Sequence, residues 1–177
     1  MEIESKYLIS DDLPFDPGAL EKKEIEQAYV NRDPTIRVRK QDDRFILTVK
    51  FKVASGGSEV LCNEEHETEI DARTYESLKA KRDGNLISKT RCIVPLEPYE
   101  CGGRSINVYA ELDIFHGALE GLRFAEVEFP TIEAANAFVP PSWMIKNVSG
   151  DKRYKNGYLS AAKDVSDIIQ SCKVSAT

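Results

Sequence analysis

The sequence predicts a mainly β chain of the α+β class, its strands closed into an antiparallel barrel with a charged interior. Three observations carry that prediction. Period-two alternation of polar and apolar residues, the mark of a strand, recurs along the 177 residues. Most alternating stretches carry ionised residues two apart: Glu2/Glu4/Lys6, Arg37/Arg39, Lys50/Lys52, Glu67/Glu69, Lys89/Arg91, Glu111/Asp113 and Glu126/Glu128. The opposite faces are apolar, with Val38, Val49, Phe51, Leu112, Ile114, Val127 and Phe129. A two-sheet sandwich turns its apolar faces inward and scatters polar residues outside. Here the polar faces are so consistently ionised that a charged lumen explains them better. A half-exposed sheet with solvated charges is the alternative; it suits any one pair, but not the whole set. In such a barrel the apolar faces point outward and need helices to cover them.

Each element follows from local pattern. In residues 1–9, Glu2, Glu4 and Lys6 share one strand face, the two carboxylates about 7 Å apart along it. Residues 10–18 are rich in breakers. Ala19 to Glu24 fits a helical turn, and Ile25 to Val30 a strand. Asn31 to Pro34 turns the chain into the alternation Thr35 to Lys40, and Gln41 to Arg44 makes a hairpin turn into Phe45 to Val53. A Gly/Ser loop at 54–58 precedes a strand from Val60 to Asp71. Residues 72–82 read as a helix with Asp71 as N-cap. Strands follow at 86–94, 105–115 and 122–129. Thr131 to Phe138 is a short helix ended by Pro140-Pro141, and Leu159 to Ile169 has helical spacing. The helices at 72–82, 131–138 and 159–169 are those expected outside the barrel.

Bulk properties set limits on partners. An apolar fraction of 41% suffices for a core in one domain, 1–177, with a C-terminal helical segment over about 151–172. A net charge of −6 argues against general nucleic-acid or anionic-membrane binding, while leaving room for a local positive pocket. No apolar run reaches the roughly 20 residues of a membrane helix. The four cysteines form no CxxC pair, which fits a reduced, cytoplasmic protein. The expected partner is a small molecule, and the expected assembly a monomer or homodimer.

The charges divide by chemistry. Lys6, Arg37, Arg39, Lys50, Lys89 and Arg91 suit a row of phosphates, Arg by bidentate contacts and Lys as a point charge. Glu2, Glu4, Glu111, Asp113, Glu126 and Glu128 offer oxygen ligands of the kind Mg²⁺ or Mn²⁺ prefers. A site with both sets should bind a linear polyphosphate with metal, as metal-assisted phosphoryl transfer to water requires.

The ordered set resembles the CYTH superfamily, the triphosphate tunnel metalloenzymes. Glu2-Ile3-Glu4-Ser5-Lys6 matches its N-terminal ExExK signature. The likeness continues through Ile36-Arg37-Val38-Arg39, Leu47-Thr48-Val49-Lys50, Glu67-Thr68-Glu69 and Lys89-Thr90-Arg91. It then runs through Glu111-Leu112-Asp113, Glu126-Val127-Glu128 and residues 150–156. The resemblance implies an eight-stranded tunnel that takes a triphosphate end-on. It implies phosphate contacts from Lys6, Arg37, Arg39, Lys50, Lys89, Arg91 and Arg153, and a metal held by Glu2, Glu4 and Glu128 with Glu126 close by. It implies catalytic roles for Lys89, Tyr29, Glu111 and Asp113: the acids place water or a second metal, and Tyr29 pairs with Lys89. Glu67 and Glu69 would fix the lumen arginines. The compact inorganic triphosphatases are the nearest pattern. The expected reaction is therefore metal-dependent hydrolysis of tripolyphosphate to pyrophosphate and phosphate, with weaker nucleoside triphosphatase activity. A class IV-type adenylate cyclase, a nucleotide or thiamine triphosphatase, and a non-catalytic polyphosphate-binding module are the alternatives. The acids count against the last, since a pure binder needs only the cations.

Overall fold

The computed structural model describes residues 3–54 and 61–172. Eleven strands dominate it. In chain order they are β1 (Ile3–Ile9), β2 (Lys22–Arg32), β3 (Thr35–Gln41), β4 (Arg44–Ala54), β5 (Leu61–Glu69) and β6 (Ile87–Pro95). Then come β7 (Tyr99–Cys101), β8 (Arg104–Ile106), β9 (Tyr109–His116), β10 (Arg123–Phe129) and β11 (Met144–Asn147). Nine of them form one sheet in the order β11-β1-β10-β9-β6-β2-β3-β4-β5, and β7 pairs with β8 in a separate ribbon. Every ladder is antiparallel. Among the described residues no ladder joins β5 to β11. The strand beyond the expected eight is β11, which pairs with β1 only over Tyr7–Ile9.

Among the described residues there are also four α-helices: α1 (Ala72–Lys79), α2 (Ile132–Ala137), α3 (Asn156–Ala161) and α4 (Ser166–Cys172). Asp71 caps α1 as its sequence position suggests, its side chain accepting from Thr74 N at 2.6 Å. The helical spacing beyond it, to residue 82, is used in tighter bonds, Lys81 N to Leu78 O and Arg82 N to Lys79 O. The turn expected over 19–24 is shorter and earlier, a 3₁₀ turn at Pro17–Ala19, and β2 begins at Lys22. The single helix expected at 159–169 is two. Ala162 is extended, and the Asp164 side chain accepts from Ser166 N at 2.8 Å, starting a second helix.

The two faces of the sheet are covered differently. On the face opposite the charges, α2 lies over Tyr7, Cys92, Leu112, Val127 and Phe129, with Trp143 and Met144 closing the cluster. Helix α1 lies over Ala28 and Val38 through Tyr75, whose hydroxyl donates to Glu26 at 2.6 Å. These two helices lie where the barrel reading expects them. The C-terminal pair does not. Tyr154, Leu159 and Ile168 pack on Leu8, Tyr29, Ile87, Phe115 and Phe124. Leu8, Ile87, Phe115 and Phe124 are two residues from Lys6, Lys89, Asp113 and Glu126, in the same phase. The charged face is therefore apolar at one end, and burying that end draws α3 and α4 onto it.

The bend between α1 and β6 holds α3 there. The Asn85 side chain donates to Leu159 O at 3.2 Å and to Ala162 O at 2.7 Å, satisfying carbonyls at the end of that helix. Arg32 pairs with Asp83, and its Nε donates to Ser160 Oγ at 3.2 Å. Gly84 has φ +87°, and a Cβ there would lie 2.1 Å from Ser160 O. Replacing Gly84 by Ala should therefore combine left-handed strain of about 1–2 kcal/mol with overpacking of about 1–3 kcal/mol. Urea unfolding of Gly84→Ala should show a loss of at least about 2 kcal/mol; a loss within about 0.5 kcal/mol would mean that α3 is not clamped by this bend.

Candidate functional site

The pairing register assembles the site, because residues directly opposite in an antiparallel ladder share a face. Glu4 lies opposite Glu128 and Lys6 opposite Glu126. Glu126 lies opposite Glu111, and Arg91 opposite Asp113. Further round the sheet, Gln27 faces Arg39 and Tyr29 faces Arg37. Arg37 lies opposite Thr48, which lies opposite Glu67, and Lys50 lies opposite Glu65. The sequence-predicted charges within the described strands thus form two groups on one sheet face, one on β1, β10, β9 and β6 and one on β3, β4 and β5, with the uncharged Ile25, Gln27 and Tyr29 of β2 between them.

Arg91 is the hub of one half. Its Nε and Nη2 donate to the two oxygens of Asp113 at 2.7 and 2.8 Å, a bidentate contact, and Nη2 also meets Glu126 at 2.7 Å. Its Nη1 pairs with Glu111. Asp113 also takes the Lys89 ammonium, and both side chains are almost fully enclosed, at 2% and 4% exposure. Lys6 Nζ joins the network at Glu126 at 2.8 Å and donates to Tyr154 O at 2.8 Å. Burial alone would raise the Asp113 carboxyl; Lys89 and Arg91 outweigh it and hold it at about 2. Burial likewise opposes ionisation of Glu126, but Lys6, Lys89 and Arg91 keep it below its ordinary value. Burial lowers the Lys89 ammonium, and Asp113 works against that lowering.

The other half centres on β3 and β4. Arg37 reaches Glu65 at 3.5 Å and Glu67 at 3.7 Å, Lys50 pairs with Glu65 at 2.5 Å, and Thr48 donates to Glu67 at 2.8 Å. Glu65, in phase with Glu67 and Glu69, is thus the main partner of these cations. Glu69 instead meets the exposed Arg44 at 3.4 Å. Among the described residues, Arg37 Nε is the buried side-chain nitrogen or oxygen without a hydrogen-bond partner. Arg39 donates through Nε to Gln27 at 3.2 Å.

Two expected pairings take another form. Lys89 meets Asp113, while the Tyr29 hydroxyl accepts from Gln27 Nε2 at 3.0 Å. Tyr29 belongs to the same apolar cluster as Phe115 and Leu159, at the apolar end of the same face. Arg153 is half-exposed and held by its neighbour Asp151, with Nη2 to Oδ2 at 2.6 Å. A cavity of about 360 Å³ opens beside the exposed edge of β1, lined by Glu4, Lys6, Asp151, Tyr154 and Lys155. There Lys155 supplies the basic group that sequence position suggests for Arg153.

The expected metal ligands are only partly placed. Glu2 lies outside the described residues. Glu4 and Glu128 are register partners, and both are exposed. Glu126 is engaged by Lys6 and Arg91. Among the described residues no three carboxylate, imidazole or thiol groups converge as a metal site on their own. The adjacent carboxylates of Glu4 and Glu128 nevertheless have the hard oxygen chemistry that a divalent ion requires. Gln27 and Glu65 carried no role in the sequence reading. Their signal was phase, since each lies two residues from a residue already singled out, Tyr29 and Glu67.

No family model matches the chain. Curated relatives do. An inorganic triphosphatase of Nitrosomonas europaea is 35% identical over 163 residues, covering 90% of this chain and 96% of that protein. An inorganic triphosphatase of Acetivibrio thermocellus is 32% identical, covering 89% of this chain and 92% of that protein. A crystal structure of the inorganic triphosphatase NE1496 superposes with a TM-score of 0.66 at 32% identity, covering 92% of this chain and 95% of that one. With identity above 30% along nearly its whole length, matching topology and an ordered set of charged pairs, the chain belongs to the CYTH superfamily, alongside its inorganic triphosphatases.

Proposed function

We propose that this chain hydrolyses inorganic tripolyphosphate to pyrophosphate and phosphate, with a divalent metal, inside a tunnel formed as the sheet curls into a closed barrel. The observation that carries the reading is the gathering of cations and carboxylates from seven strands on one sheet face. A polyanion fits it. Arg37 has a buried N–H still to satisfy, and Lys6, Lys50 and Arg91 are neutralised by carboxylates that a phosphate chain can replace. The names of the relatives agree with this substrate.

Lys6, Arg37, Arg39, Lys50, Lys89 and Arg91 hold the phosphate oxygens, with Lys155 or a rotated Arg153 at the mouth. Glu4 and Glu128, with Glu2 and Glu126, hold Mg²⁺ or Mn²⁺. When bound, that ion supplies charge neutralisation for the phosphates and lowers the pKa of a coordinated water. Asp113 acts through its neighbours, fixing Lys89 and Arg91 against the sheet. Burial weakens the hold of Lys89 on its proton, which suits it to exchange a proton with the attacking water. Glu111 lies at the rim of the hub, where it can orient that water once substrate has taken over Arg91. The apolar end under α3 and α4 makes the lumen blind, so the chain end enters and the products leave by the same mouth.

Phosphate release should be measured from tripolyphosphate, ATP, thiamine triphosphate and long-chain polyphosphate, with and without Mg²⁺. Tripolyphosphate should turn over fastest and only with metal. Binding without turnover of any of the four would leave a polyphosphate-binding module, and cyclic AMP formed from ATP would point to a cyclase. Glu4→Gln should lower metal-dependent turnover by more than the roughly 10–100-fold typical of losing a supporting residue around a metal. Its melting temperature should hold, since the side chain is exposed; unchanged turnover would remove Glu4 from the metal site.

Asp113 yields a pH prediction. Its folded pKa of about 2 lies below the ordinary 3.8, so its contribution of about 2 kcal/mol is present above about pH 4 and is lost as pH falls through about 2. Asp113→Asn should cost about 3–5 kcal/mol at neutral pH and flatten the acid limb of urea midpoints plotted against pH. A variant with the wild-type acid limb would show that Asp113 is not the group responsible.

A further inference from the structure

Gln27 is enclosed on the charged face, at 2% exposure. Both ends of its amide are in use. Oε1 accepts from Arg39 Nε at 3.2 Å, and Nε2 donates to the Tyr29 hydroxyl at 3.0 Å. Because a guanidinium can only donate, these contacts fix which way the amide points. Gln27 and Arg39 are also register partners, so the bond spans adjacent strands with little side-chain freedom.

The second observation is charge. Lys6, Arg37, Lys50, Lys89 and Arg91 each form an ion pair with a carboxylate. Among the described residues Arg39 forms none; its side-chain hydrogen bond goes to the neutral amide. Burial, Arg37 and Arg91 disfavour its charge, and Glu67 only partly opposes them. A partly buried cation held in place without a counter-ion gains most when an anion arrives. A Glu at position 27 would have nearly the same shape and could accept from both neighbours. It would also neutralise Arg39 before substrate bound.

We propose that Gln27 is a positioning residue for tripolyphosphate: its neutral amide aims the Arg39 guanidinium and the Tyr29 hydroxyl together while leaving the charge of Arg39 for a phosphate. The role rests on the triphosphatase reading of this face. It assigns charge selectivity to a residue that carries no charge. It also links the phosphate row on β3 to the tyrosine at the apolar end.

The test compares Gln27→Glu, Gln27→Met and Arg39→Ala in steady-state hydrolysis of tripolyphosphate with Mg²⁺, alongside thermal unfolding. Gln27→Glu should raise KM at least about tenfold with an unchanged or higher melting temperature, since it creates an ion pair in the folded protein. Gln27→Met removes both hydrogen bonds without adding charge. It should raise KM less than Gln27→Glu does. A merely structural Gln27 would lower the melting temperature in both variants and leave KM alone, which would overturn the proposal. If Arg39→Ala raises KM but Gln27→Glu does not, the assignment to Gln27 fails while the phosphate row stands. If Arg39→Ala leaves KM unchanged, the phosphate role of Arg39 fails and the proposal falls with it.

Discussion

The structure depends on one constraint, the enclosure of Asp113 between Lys89 and Arg91. Three charged groups sit on adjacent strands at the middle of the sheet, and none could be there alone. A lone buried carboxylate would take up a proton, and a lone ammonium would lose one. Together they form a self-satisfied unit that ties β6 to β9 through side chains as well as backbone. Arg91 then extends the unit to Glu111 and Glu126, and Glu126 extends it to Lys6 on β1. The first strand is thus joined electrostatically to the centre of the sheet through two intermediates.

The same network explains how so much charge is tolerated before substrate binds. Carboxylates on β5, β9 and β10 neutralise Arg37, Lys50 and Arg91 within the sheet face itself. Under the proposed function a polyanion would exchange one set of oxygens for another, so its binding would create no large new desolvation cost.

Much of this was legible in the sequence because charge and period coincide. Side-chain phase in a strand is two, and the charged pairs at Arg37/Arg39, Lys89/Arg91 and Glu126/Glu128 report it directly. The caps were legible too, since Asp71 does what its position suggests. The destination of α3 and α4 was harder to read. Leu8, Ile87, Phe115 and Phe124 continue the charged phase, but charge patterns alone end where these residues begin. Strand β11 is only four residues long, too short to show a period, and takes its identity from pairing with β1. Arg153 matched a motif, yet its nearest acid is two residues away in the chain, and that local pair decides where its side chain rests. Gln27 has no pattern of its own. Its meaning comes from Arg39 across the ladder, and pairing register is not written in one strand.

The position of β1 in the sheet has a consequence for how the chain is made. Ile3–Ile9 leaves the ribosome well before its neighbours in the sheet, Arg123–Phe129 and Met144–Asn147. Until those segments emerge this strand has both edges open, and the hairpins from β2 to β5 can pair before it finds a place. Sequence-distant pairing of this kind slows folding, because a long loop must close before any contact repays it. The strand bearing Glu4 and Lys6 is therefore older in the nascent chain than either strand it pairs with, and among the last to be built into the sheet.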